Sequence, residues 1–368
     1  MPTMYETKKN DYDGRIKELE DELAKTKYNK KTQHHIGLIK AKIAELRQKQ
    51  SSKKGPSTSG YTIKKSGDGT VALLGFPSVG KSTLLNALTN AESKIAAYEF
   101  TTLDVIPGLL NYDGARIQIF DVPGIVEGAS DGSGRGKEVL SAIRSADLIM
   151  TVVDVNKPDQ YDKIMNEVYQ VGIRLNQNPP DVKFKKTGMG GIDISKTCKL
   201  THLTFDTIKD MLRSMGIMNC EIVIREDIND DQLIDVVMGN RIYLKGITII
   251  NKIDTNPEKA KQLMKKLNAD ILISSQKKIN IEELKDLIFK KLELVRIYLK
   301  EVGKKPDLNE PLILRGKVTI RGICNKVHRD FTNKFKNAKV WGSSKFDGQI
   351  YGLDKEVKDK DIVEIHLI

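Results

Sequence analysis

The apolar residues near the start of the chain recur at the spacing of two helices. Those that lie three and four positions apart are Ile16, Leu19, Leu23, Ile36, Ile39, Ile43 and Leu46. Residues at this spacing share one face of a helix. The pattern predicts a helical hairpin over 13–50. The Ser- and Gly-rich stretch 51–60 has no apolar residue and predicts a linker.

Apolar runs of strand length alternate with helical patterns from residue 70 to about 160. The predicted strands are Thr70–Leu74, Arg116–Asp121 and Leu148–Asp154, and the predicted helices are Lys81–Ala91 and Lys137–Ala146. The alternation resumes with the strands Gly246–Asn251 and Asp270–Ser274 and the helix Ile281–Leu299. This order is typical of an α/β fold, a mostly parallel sheet with helices on both faces.

The intervening stretch, about 165–240, breaks that alternation. Its predicted elements are the strands Gly191–Ser195 and Cys220–Arg225 and the helices Phe205–Ser214 and Asp230–Val237. We interpret this stretch as an α+β subdomain inserted into the parent fold.

A breaker run, Gly303-Lys-Lys-Pro306, precedes a last small α+β module. Its predicted elements are the strands Lys317–Ile320, Lys339–Trp341 and Ile362–Leu367 and the helix Gly322–Phe335. The chain is thus predicted to have a basic helical domain with its linker over 1–60, an α/β domain with the insert over 66–295, and a C-terminal module over 296–368.

Composition places the chain among globular proteins and gives it a positive charge. Hydrophobic residues make up 39% of the 368 positions, charged residues 30%, and the net charge is +12. No apolar run approaches the roughly 18–20 residues of a membrane span, and no signal peptide is apparent, so we expect a cytoplasmic protein without a membrane partner. Three scattered cysteines favour reduced thiols over disulfides or a zinc site. The charge favours a polyanionic partner.

The segment Gly75-Phe-Pro-Ser-Val-Gly-Lys-Ser82 follows a predicted strand and opens a predicted helix. It matches the P-loop, whose backbone amides wrap the phosphates of a nucleotide. Lys81 is expected to reach the β- and γ-phosphates, and the Ser82 hydroxyl is expected to bind Mg²⁺. The candidate nucleotide contacts here are Gly75, Phe76, Pro77, Ser78, Val79, Gly80, Lys81, Ser82 and Thr83.

Two further segments complete the magnesium side of the site. Asp121-Val-Pro-Gly124 ends a predicted strand, so its carboxylate can hold Mg²⁺ through water while the Gly124 amide senses the γ-phosphate. Thr101 and Thr102 precede it, and we favour the Thr102 hydroxyl as a further ligand, although both could be ordinary loop residues. The candidate catalytic groups are Lys81, Thr102 and Gly124, and the candidate metal ligands are Ser82, Thr102 and Asp121.

The base side of the site is predicted from Asn251-Lys252-Ile-Asp254, which closes a predicted strand. The Asp254 carboxylate can accept from the N1–H and amino donors of guanine, a pair that adenine lacks. Lys252 is expected to lie along the base and Asn251 to brace the loop, while Ser274, Ser275 and Gln276 support the base from the other side. The order of these motifs is that of translation-factor-related GTPases, so the sequence predicts GTP binding and hydrolysis.

Longer segments closely resemble the developmentally regulated GTP-binding protein (DRG) family, relatives of the Obg GTPases. They are 75–85, 96–103, 121–129 and 132–136 around the motifs, and 34–38, 239–243, 294–298 and 340–342 elsewhere. The resemblance implies a P-loop GTPase domain with an insert similar to ribosomal protein S5 domain 2 and a C-terminal TGS domain of β-grasp type. It also implies association with translating ribosomes and, in eukaryotic members, a dedicated stabilising protein partner.

The segment Asp121–Gly124 is a DxxG motif, and the residue after it is Ile125, where many small GTPases have a water-positioning glutamine. An isoleucine cannot polarise water, so we expect slow intrinsic hydrolysis that relies on another group, on the switch backbone, on a partner or on a cation. Related GTPases with a hydrophobic residue here use K⁺, often held by a P-loop asparagine, but this chain has Ser78 at that position. K⁺ stimulation is therefore a hypothesis. Arg135 could instead act as an arginine finger, although a solvated switch residue or a ribosome contact is the simpler interpretation.

Basic residues crowd the predicted hairpin and linker. From Lys25 to Lys54 there are ten lysines and arginines and one acid, Glu45, which gives a local charge of +9. We expect RNA contact there, with a solvated lysine face as the alternative. The candidate RNA contacts are Lys25, Lys27, Lys30, Lys31, Lys40, Lys42 and Arg47. The sequence as a whole predicts a ribosome- or RNA-associated GTP switch, and the alternative is an RNA-binding or protein-docking adapter with vestigial GTPase activity.

Overall fold

The computed structural model describes residues 4–27, 29, 32–52, 67–89, 107–121 and 143–368. Several predicted features lie outside these residues: Lys30, Lys31, Thr101, Thr102, Gly124, Ile125, Arg135 and most of the predicted helix Lys137–Ala146. The chain divides into two compact units, one of Met1–Gly60 with Gln177–Tyr243 and one of Tyr61–Asn176 with Leu244–Ile368. Among the helices that are described, none is long and apolar enough to span a bilayer.

The described helices are α1 (Met4–Lys25), α2 (Gln33–Ser52), α3 (Lys81–Leu88), α4 (Gln160–Gln170), α5 (Phe205–Ser214), α6 (Asp230–Met238), α7 (Pro257–Lys266), α8 (Ile281–Lys291) and α9 (Ile320–Val327).

The described strands of the first half are β1 (Gly69–Leu74), β2 (Pro107–Tyr112), β3 (Ala115–Asp121), β4 (Leu148–Asp154), β5 (Ile173–Leu175), β6 (Val182–Lys186), β7 (Ile192–Lys196) and β8 (Cys220–Ile224). Those of the second half are β9 (Ile242–Asn251), β10 (Ile271–Leu272), β11 (Leu294–Leu299), β12 (Leu312–Arg315), β13 (Val318–Thr319), β14 (Phe335–Trp341), β15 (Gln349–Tyr351), β16 (Glu356–Val357) and β17 (Asp361–Leu367).

The predicted helical hairpin is confirmed and belongs to the first unit. Ile16 of α1 packs with Ile39, Ile43 and Leu46 of α2, which are the residues whose spacing predicted the two helices. Another face of α2 packs on α5, where a Cβ on Gly37 would lie 3.1 Å from the sulfur of Met211. The same unit contains a small sheet in the order β6-β8-β7, so α2 contributes to the core that covers this sheet.

The main sheet of the second unit runs in the order β10-β9-β4-β1-β3-β2. β1, β3, β4, β9 and β10 pair in parallel, and β2 is antiparallel to β3. One face packs against α3 and α8 and the other against α4, so the predicted α/β fold is confirmed. Because parallel strands end at the same edge of a sheet, β1, β3, β4 and β9 bring the segments that follow them together.

The prediction of one long helix over Ile281–Leu299 is wrong for the second half of that range. The helix α8 ends at Lys291, Glu293 has a left-handed φ of +55°, and Leu294–Leu299 is the strand β11. β11 pairs with β12 and β17, and this long-range pairing overrides an apolar spacing that a helix could also satisfy.

Three other predicted elements of the second unit are shorter than expected. The helix Gly322–Phe335 is instead α9, which starts at Ile320 and ends at Val327, and Phe335 already begins β14. The strand Asp270–Ser274 is limited to β10, Ile271–Leu272. The strand Lys317–Ile320 is limited to β13, because the Thr319 side chain accepts a bond from the Gly322 N–H and starts α9.

The C-terminal module is a five-stranded sheet in the order β12-β11-β17-β14-β15. Ile320, Ile323 and Cys324 of α9 pack into its core. Leu294 of β11 and Ile313 of β12 instead join the core of the main sheet. The module is therefore attached to the α/β domain by a continuous apolar contact as well as by the chain.

Candidate functional site

The P-loop connects β1 to α3 at the edge of the main sheet. The Lys81 ammonium donates to the carbonyls of Gly75 and Phe76 at 3.0 and 3.2 Å. A Cβ on Gly75 would lie 2.8 Å from the Val152 carbonyl oxygen, so this close approach requires glycine. Ser82 and Thr83, at the first turn of α3, are exposed. The loop thus presents a lysine, two hydroxyls and a helix N-terminus, a combination that binds phosphate.

Asn251 connects three of the predicted segments. Its side-chain amide donates to the Val79 carbonyl of the P-loop at 2.9 Å, and its oxygen accepts from both the N–H and the hydroxyl of Ser275 at 3.0 Å. Asn251 is buried, and a Cβ on Gly80 would lie 2.6 Å from its amide nitrogen. The predicted bracing role of Asn251 therefore has a direct geometric basis in the described contacts.

The base-side residues meet at the same edge of the sheet. The Lys252 ammonium donates to the Ser78 carbonyl at 2.6 Å and to Oδ2 of Asp154 at 2.7 Å. Asp254 follows two residues later, and its pKa is lowered, chiefly by a hydrogen bond from Ser274. An ionised Asp254 is an acceptor, which is the form that could pair with the donor edge of guanine. Gln276, the last residue of the predicted triplet, is exposed.

Asp121 lies at the end of β3, with its Oδ1 at 4.0 Å from the Lys81 nitrogen. This oxygen is buried and has no hydrogen-bond partner among the described residues. Burial raises the pKa of Asp121, and the charge of Lys81 opposes that shift. A buried carboxylate oxygen without a partner, beside a phosphate-binding loop, suits a divalent cation or its bound water. Mg²⁺ is commonly held by one or two carboxylates together with waters and phosphates.

The structure therefore brings most of the predicted nucleotide-site residues together, but it leaves two of them, Thr102 and Gly124, undescribed. Thr101, Thr102 and Gly124 lie in stretches outside the described ranges. The structure also adds Asp154, at the end of β4, which lies outside the predicted nucleotide-binding segments. The only sequence signal for it was a carboxylate at the end of an apolar strand, Thr151-Val-Val-Asp154.

The candidate RNA-binding residues that the structure describes fall into two groups, exposed ones and ion-paired ones. Lys25 and Lys27, near the tip of the hairpin, are exposed. Lys40 pairs with Asp230 and Asp231 at 2.8 Å. Two further pairs are Lys42 with Glu45 at 2.6 Å and Arg47 with Glu20 at 2.5 Å. The local charge of +9 was counted over Lys25–Lys54 and did not include the acids of α1 and α6, which neutralise part of the basic face.

Three family matches together span nearly all of the chain after residue 69. Residues 70–186 match MMR_HSR1, described as a 50S ribosome-binding GTPase. Residues 189–294 match the C-terminal region of the MMR_HSR1 domain, and residues 295–367 match the TGS domain.

Proteins of an archaeon and of eukaryotes are similar to this chain over most of its length. An uncharacterized GTP-binding protein of Methanocaldococcus jannaschii is 52% identical over 357 residues, which are 95% of this chain and 91% of that protein. GTP-binding protein 1 of Schizosaccharomyces pombe is 46% identical, over 95% of this chain and 98% of its own length. Developmentally-regulated GTP-binding protein 1 of Xenopus laevis is 43% identical, over 96% of this chain and 98% of its own length.

Proposed function

We propose that this chain, which belongs to the developmentally regulated GTP-binding protein family, is a Mg²⁺-dependent GTP switch that acts on ribosomes or RNA in the cytoplasm. As a member of this family it is a GTP-binding protein with a GTPase domain and a C-terminal TGS domain. The proposal assigns the GTPase domain to 66–295, with an insert similar to ribosomal protein S5 domain 2, between the helical domain 1–60 and the TGS domain 296–368.

The observation that carries the proposal is the set of contacts made by Asn251. One buried side chain joins the P-loop at Val79 to the Ser275 segment, and this connection supports a common nucleotide site for the phosphate and base motifs. In this proposal GTP contacts Gly75, Phe76, Pro77, Ser78, Val79, Gly80, Lys81, Ser82, Thr83, Asp121, Gly124, Asn251, Lys252, Asp254, Ser274, Ser275 and Gln276.

Magnesium is assigned to the phosphate side of this pocket. Ser82 and Asp121 would hold the ion, Asp121 through water, with Thr102 completing the shell. The ion would neutralise charge on the phosphates, while Lys81 and the Gly124 amide stabilise the transferred phosphoryl group. Oδ1 of Asp121, which is buried and has no hydrogen-bond partner in the described part of the chain, supports this assignment.

The first test is nucleotide specificity, measured by calorimetry on the purified chain with GDP, GTP and ATP in Mg²⁺. We expect tight guanine nucleotide binding and negligible ATP binding. Asp254→Asn should weaken the binding of GDP and strengthen the binding of xanthosine diphosphate, because xanthine presents a carbonyl where guanine has an amino donor. Asp347→Asn, an exposed residue of the TGS domain, is the matched control. Equal affinity of the wild type for GTP and ATP would refute the proposal.

The second test addresses turnover and the cation. We propose that K⁺ stimulates hydrolysis because Ile125 cannot position water. Initial rates should be higher in KCl than in NaCl of equal concentration. Equal rates would remove the K⁺ hypothesis alone, whereas no turnover with or without ribosomes would favour an adapter with vestigial GTPase activity.

The third test concerns the ribosome or RNA partner. We propose that the exposed tip residues Lys25 and Lys27 contact RNA, together with Lys30 and Lys31, and that the ion-paired Lys40, Lys42 and Arg47 contribute less. Purified ribosomes should sediment more of the wild type with a GTP analogue than with GDP. The double variant K25Q/K27Q should bind more weakly and with a salt slope smaller by about one for each lost phosphate contact.

The matched control for the tip variant is K265Q/K266Q on α7, two exposed lysines with the same change in charge. Equal losses in both double variants would indicate a general charge effect and would contradict a contact at the hairpin tip. Salt-insensitive binding of the wild type would favour docking through a protein partner, such as the stabilising partner that eukaryotic members of the family have.

A further inference from the structure

A second carboxylate lies at the edge of the sheet where the nucleotide motifs meet. Asp154 is the last residue of β4 and pairs in the sheet with Asn251 of β9. Its side chain is only 8% exposed. A buried carboxylate is costly unless it is paired and hydrogen-bonded, so its partners indicate what it holds in place.

Both oxygens of Asp154 have partners. Oδ2 accepts from the Lys252 ammonium at 2.7 Å, and Oδ1 accepts from the backbone N–H of Asn156 at 2.8 Å. The same ammonium donates to the Ser78 carbonyl at 2.6 Å. Lys252 is thus fixed between the end of β4 and the P-loop.

The turn that begins at Lys252 is constrained from its other side as well. Lys252 has a φ of +62°, a conformation that non-glycine residues seldom adopt. The Thr255 hydroxyl donates to the Lys252 carbonyl at 2.8 Å and accepts from the Asn156 amide at 3.1 Å. Asp154, Asn156, Thr255 and Lys252 therefore close a ring of contacts around the turn that carries Asp254.

We propose that Asp154 is a positioning residue for guanine recognition, holding Lys252 extended and so fixing the turn that presents Asp254. The inference rests on the proposed guanine pocket. A lysine stem has large rotamer freedom, and fixing it before the nucleotide arrives reduces the entropy lost on binding. An asparagine of the same shape would bond the ammonium more weakly, because it lacks the charge of the carboxylate.

A direct role for Asp154 as a metal ligand or general base is less consistent with these contacts. A group that binds an ion or takes a proton needs an available lone pair directed at it. A ligand would have to share each Asp154 oxygen with a protein donor, and the Lys252 charge beside Oδ2 opposes a second cation there, whereas Oδ1 of Asp121 has no such donor among the described residues. The geometry therefore favours action through Lys252.

The test compares GDP with inosine diphosphate, whose base lacks the amino group that Asp254 would accept from. Asp154→Asn should weaken GDP binding by about 10- to 100-fold, the effect of one charge-assisted hydrogen bond. It should also lower the preference for GDP over inosine diphosphate, because a misplaced Asp254 no longer distinguishes the two bases. If Asp154 had a purely structural role, Asp154→Asn would lower the affinities for GDP and for inosine diphosphate by the same factor.

Four further variants complete the experiment, and two of them, Lys252→Met alone and combined with Asp154→Asn, form a pair. In a Lys252→Met background, Asp154→Asn should cause no further loss of GDP affinity, because the carboxylate acts through that lysine. Asn156→Ala, at an exposed residue of the ring, should shift the GDP preference in the same direction by a smaller factor. Glu283→Gln, on the exposed side of α8, is the matched charge control and should leave both affinities unchanged.

The outcomes separate the inference from the proposed function. If the wild type does not prefer GDP to ADP, the proposed function fails. If the wild type prefers GDP and folded Asp154→Asn keeps the wild-type ratio of GDP to inosine diphosphate, the role of Asp154 is overturned while the pocket stands. If Asp154→Asn does not fold, a wild-type ratio of GDP to inosine diphosphate affinity in Asn156→Ala overturns the positioning role of Asp154.

Discussion

Arg296 of the TGS domain pairs with Asp113, which lies at the turn between β2 and β3 of the GTPase domain. Its guanidinium also bonds Asp359 and lies 4.6 Å from the centre of the Phe289 ring. At the next position a Cβ on Gly114 would lie 2.4 Å from Cγ of Pro311. The β2–β3 turn is thus held closely against the TGS domain by one arginine and one proline.

Arg296→Met should destabilise the chain by about 2 kcal/mol, because it leaves the carboxylates of Asp113 and Asp359 without their cation. Asp113→Asn should lower the free energy of unfolding by less in the Arg296→Met background than in the wild type, since the two residues contact each other. Urea unfolding measures both effects. Lys304→Met is the control, because Lys304 and its partner Glu301 are both largely exposed and such a pair contributes at most about 1 kcal/mol. Equal costs for Arg296→Met and Lys304→Met would contradict the prediction.

Gly80→Ala should impair nucleotide binding far more than a glycine substitution elsewhere. Gly80 has a φ of +97°, and the added Cβ would lie 2.6 Å from the Asn251 amide. Strain at such a position costs about 1–3 kcal/mol, and displacement of Asn251 would separate the P-loop from the Ser275 segment. Calorimetry with GDP and thermal unfolding test this expectation. Gly188→Ala, where no atom of the described residues lies within 4 Å of the added Cβ, should leave both measurements unchanged, and a loss as large as that of Gly80→Ala would argue against the mechanism.

The raised pKa of Asp121 predicts opposite pH effects on Mg²⁺ binding and on folding. Burial raises the pKa of this carboxyl above its ordinary 3.8, with Lys81 opposing the shift. Mg²⁺ binds the ionised form, so the Mg²⁺ dependence of GDP binding should weaken as pH falls through the raised pKa. In the nucleotide-free protein, the folded state instead binds this proton more tightly than the unfolded state, so ionisation of Asp121 lowers stability as pH rises.

Asp121→Asn should therefore increase the thermal stability of the nucleotide-free protein at pH 7 and abolish the Mg²⁺ dependence of nucleotide binding. Mg²⁺ titrations of GDP affinity and melting curves provide the two measurements. Asp347→Asn serves again as the charge control. A lower melting temperature for Asp121→Asn, with Mg²⁺ dependence retained, would contradict both parts.

Lys40 should stabilise the first unit below about pH 10 and lose this effect in stronger base. Burial by itself lowers the pKa of Lys40, but the bonds to Asp230 and Asp231 outweigh it and raise the pKa above its ordinary 10.5. A cation with a raised folded-state pKa stabilises fully below the unfolded pKa, and its contribution disappears as pH rises through the folded value. Lys40→Met should cost about 2–3 kcal/mol at pH 7, because Asp230 is buried and loses its cation.

Denaturant unfolding of Lys40→Met between pH 7 and pH 11 tests this pH dependence. Lys42→Met is the control, since Lys42 is 43% exposed and its ion pair among the described residues, with Glu45, lies within α2. We expect the difference between Lys40→Met and the wild type to shrink only above about pH 10.5. A difference independent of pH would show that Lys40 acts through packing of its stem.

Periodicity predicted the elements that local sequence controls. The apolar spacing of α1 and α2 and the apolar runs of β1 and β4 each have one interpretation, and the structure confirms them. It could not locate the end of α8, because Leu294–Leu299 fits either a helix or a strand until its partners β12 and β17 are known. Nor could a local count of charge reveal that Lys40 is neutralised by Asp230 and Asp231, which lie 190 and 191 positions later in the chain.

The ordered motifs at Gly75–Ser82, Asp121–Gly124, Asn251–Asp254 and Ser274–Gln276 determined by themselves that this is a guanine nucleotide protein, because each motif carries its chemistry within a few adjacent residues, and the longer segments around and beyond them identified the DRG family. Only the tertiary structure decided that Asp154 holds Lys252 and that Arg296 reaches Asp113. Those relationships join residues 98 and 183 positions apart, and they form because the folded sheet and the docked TGS domain bring these side chains together.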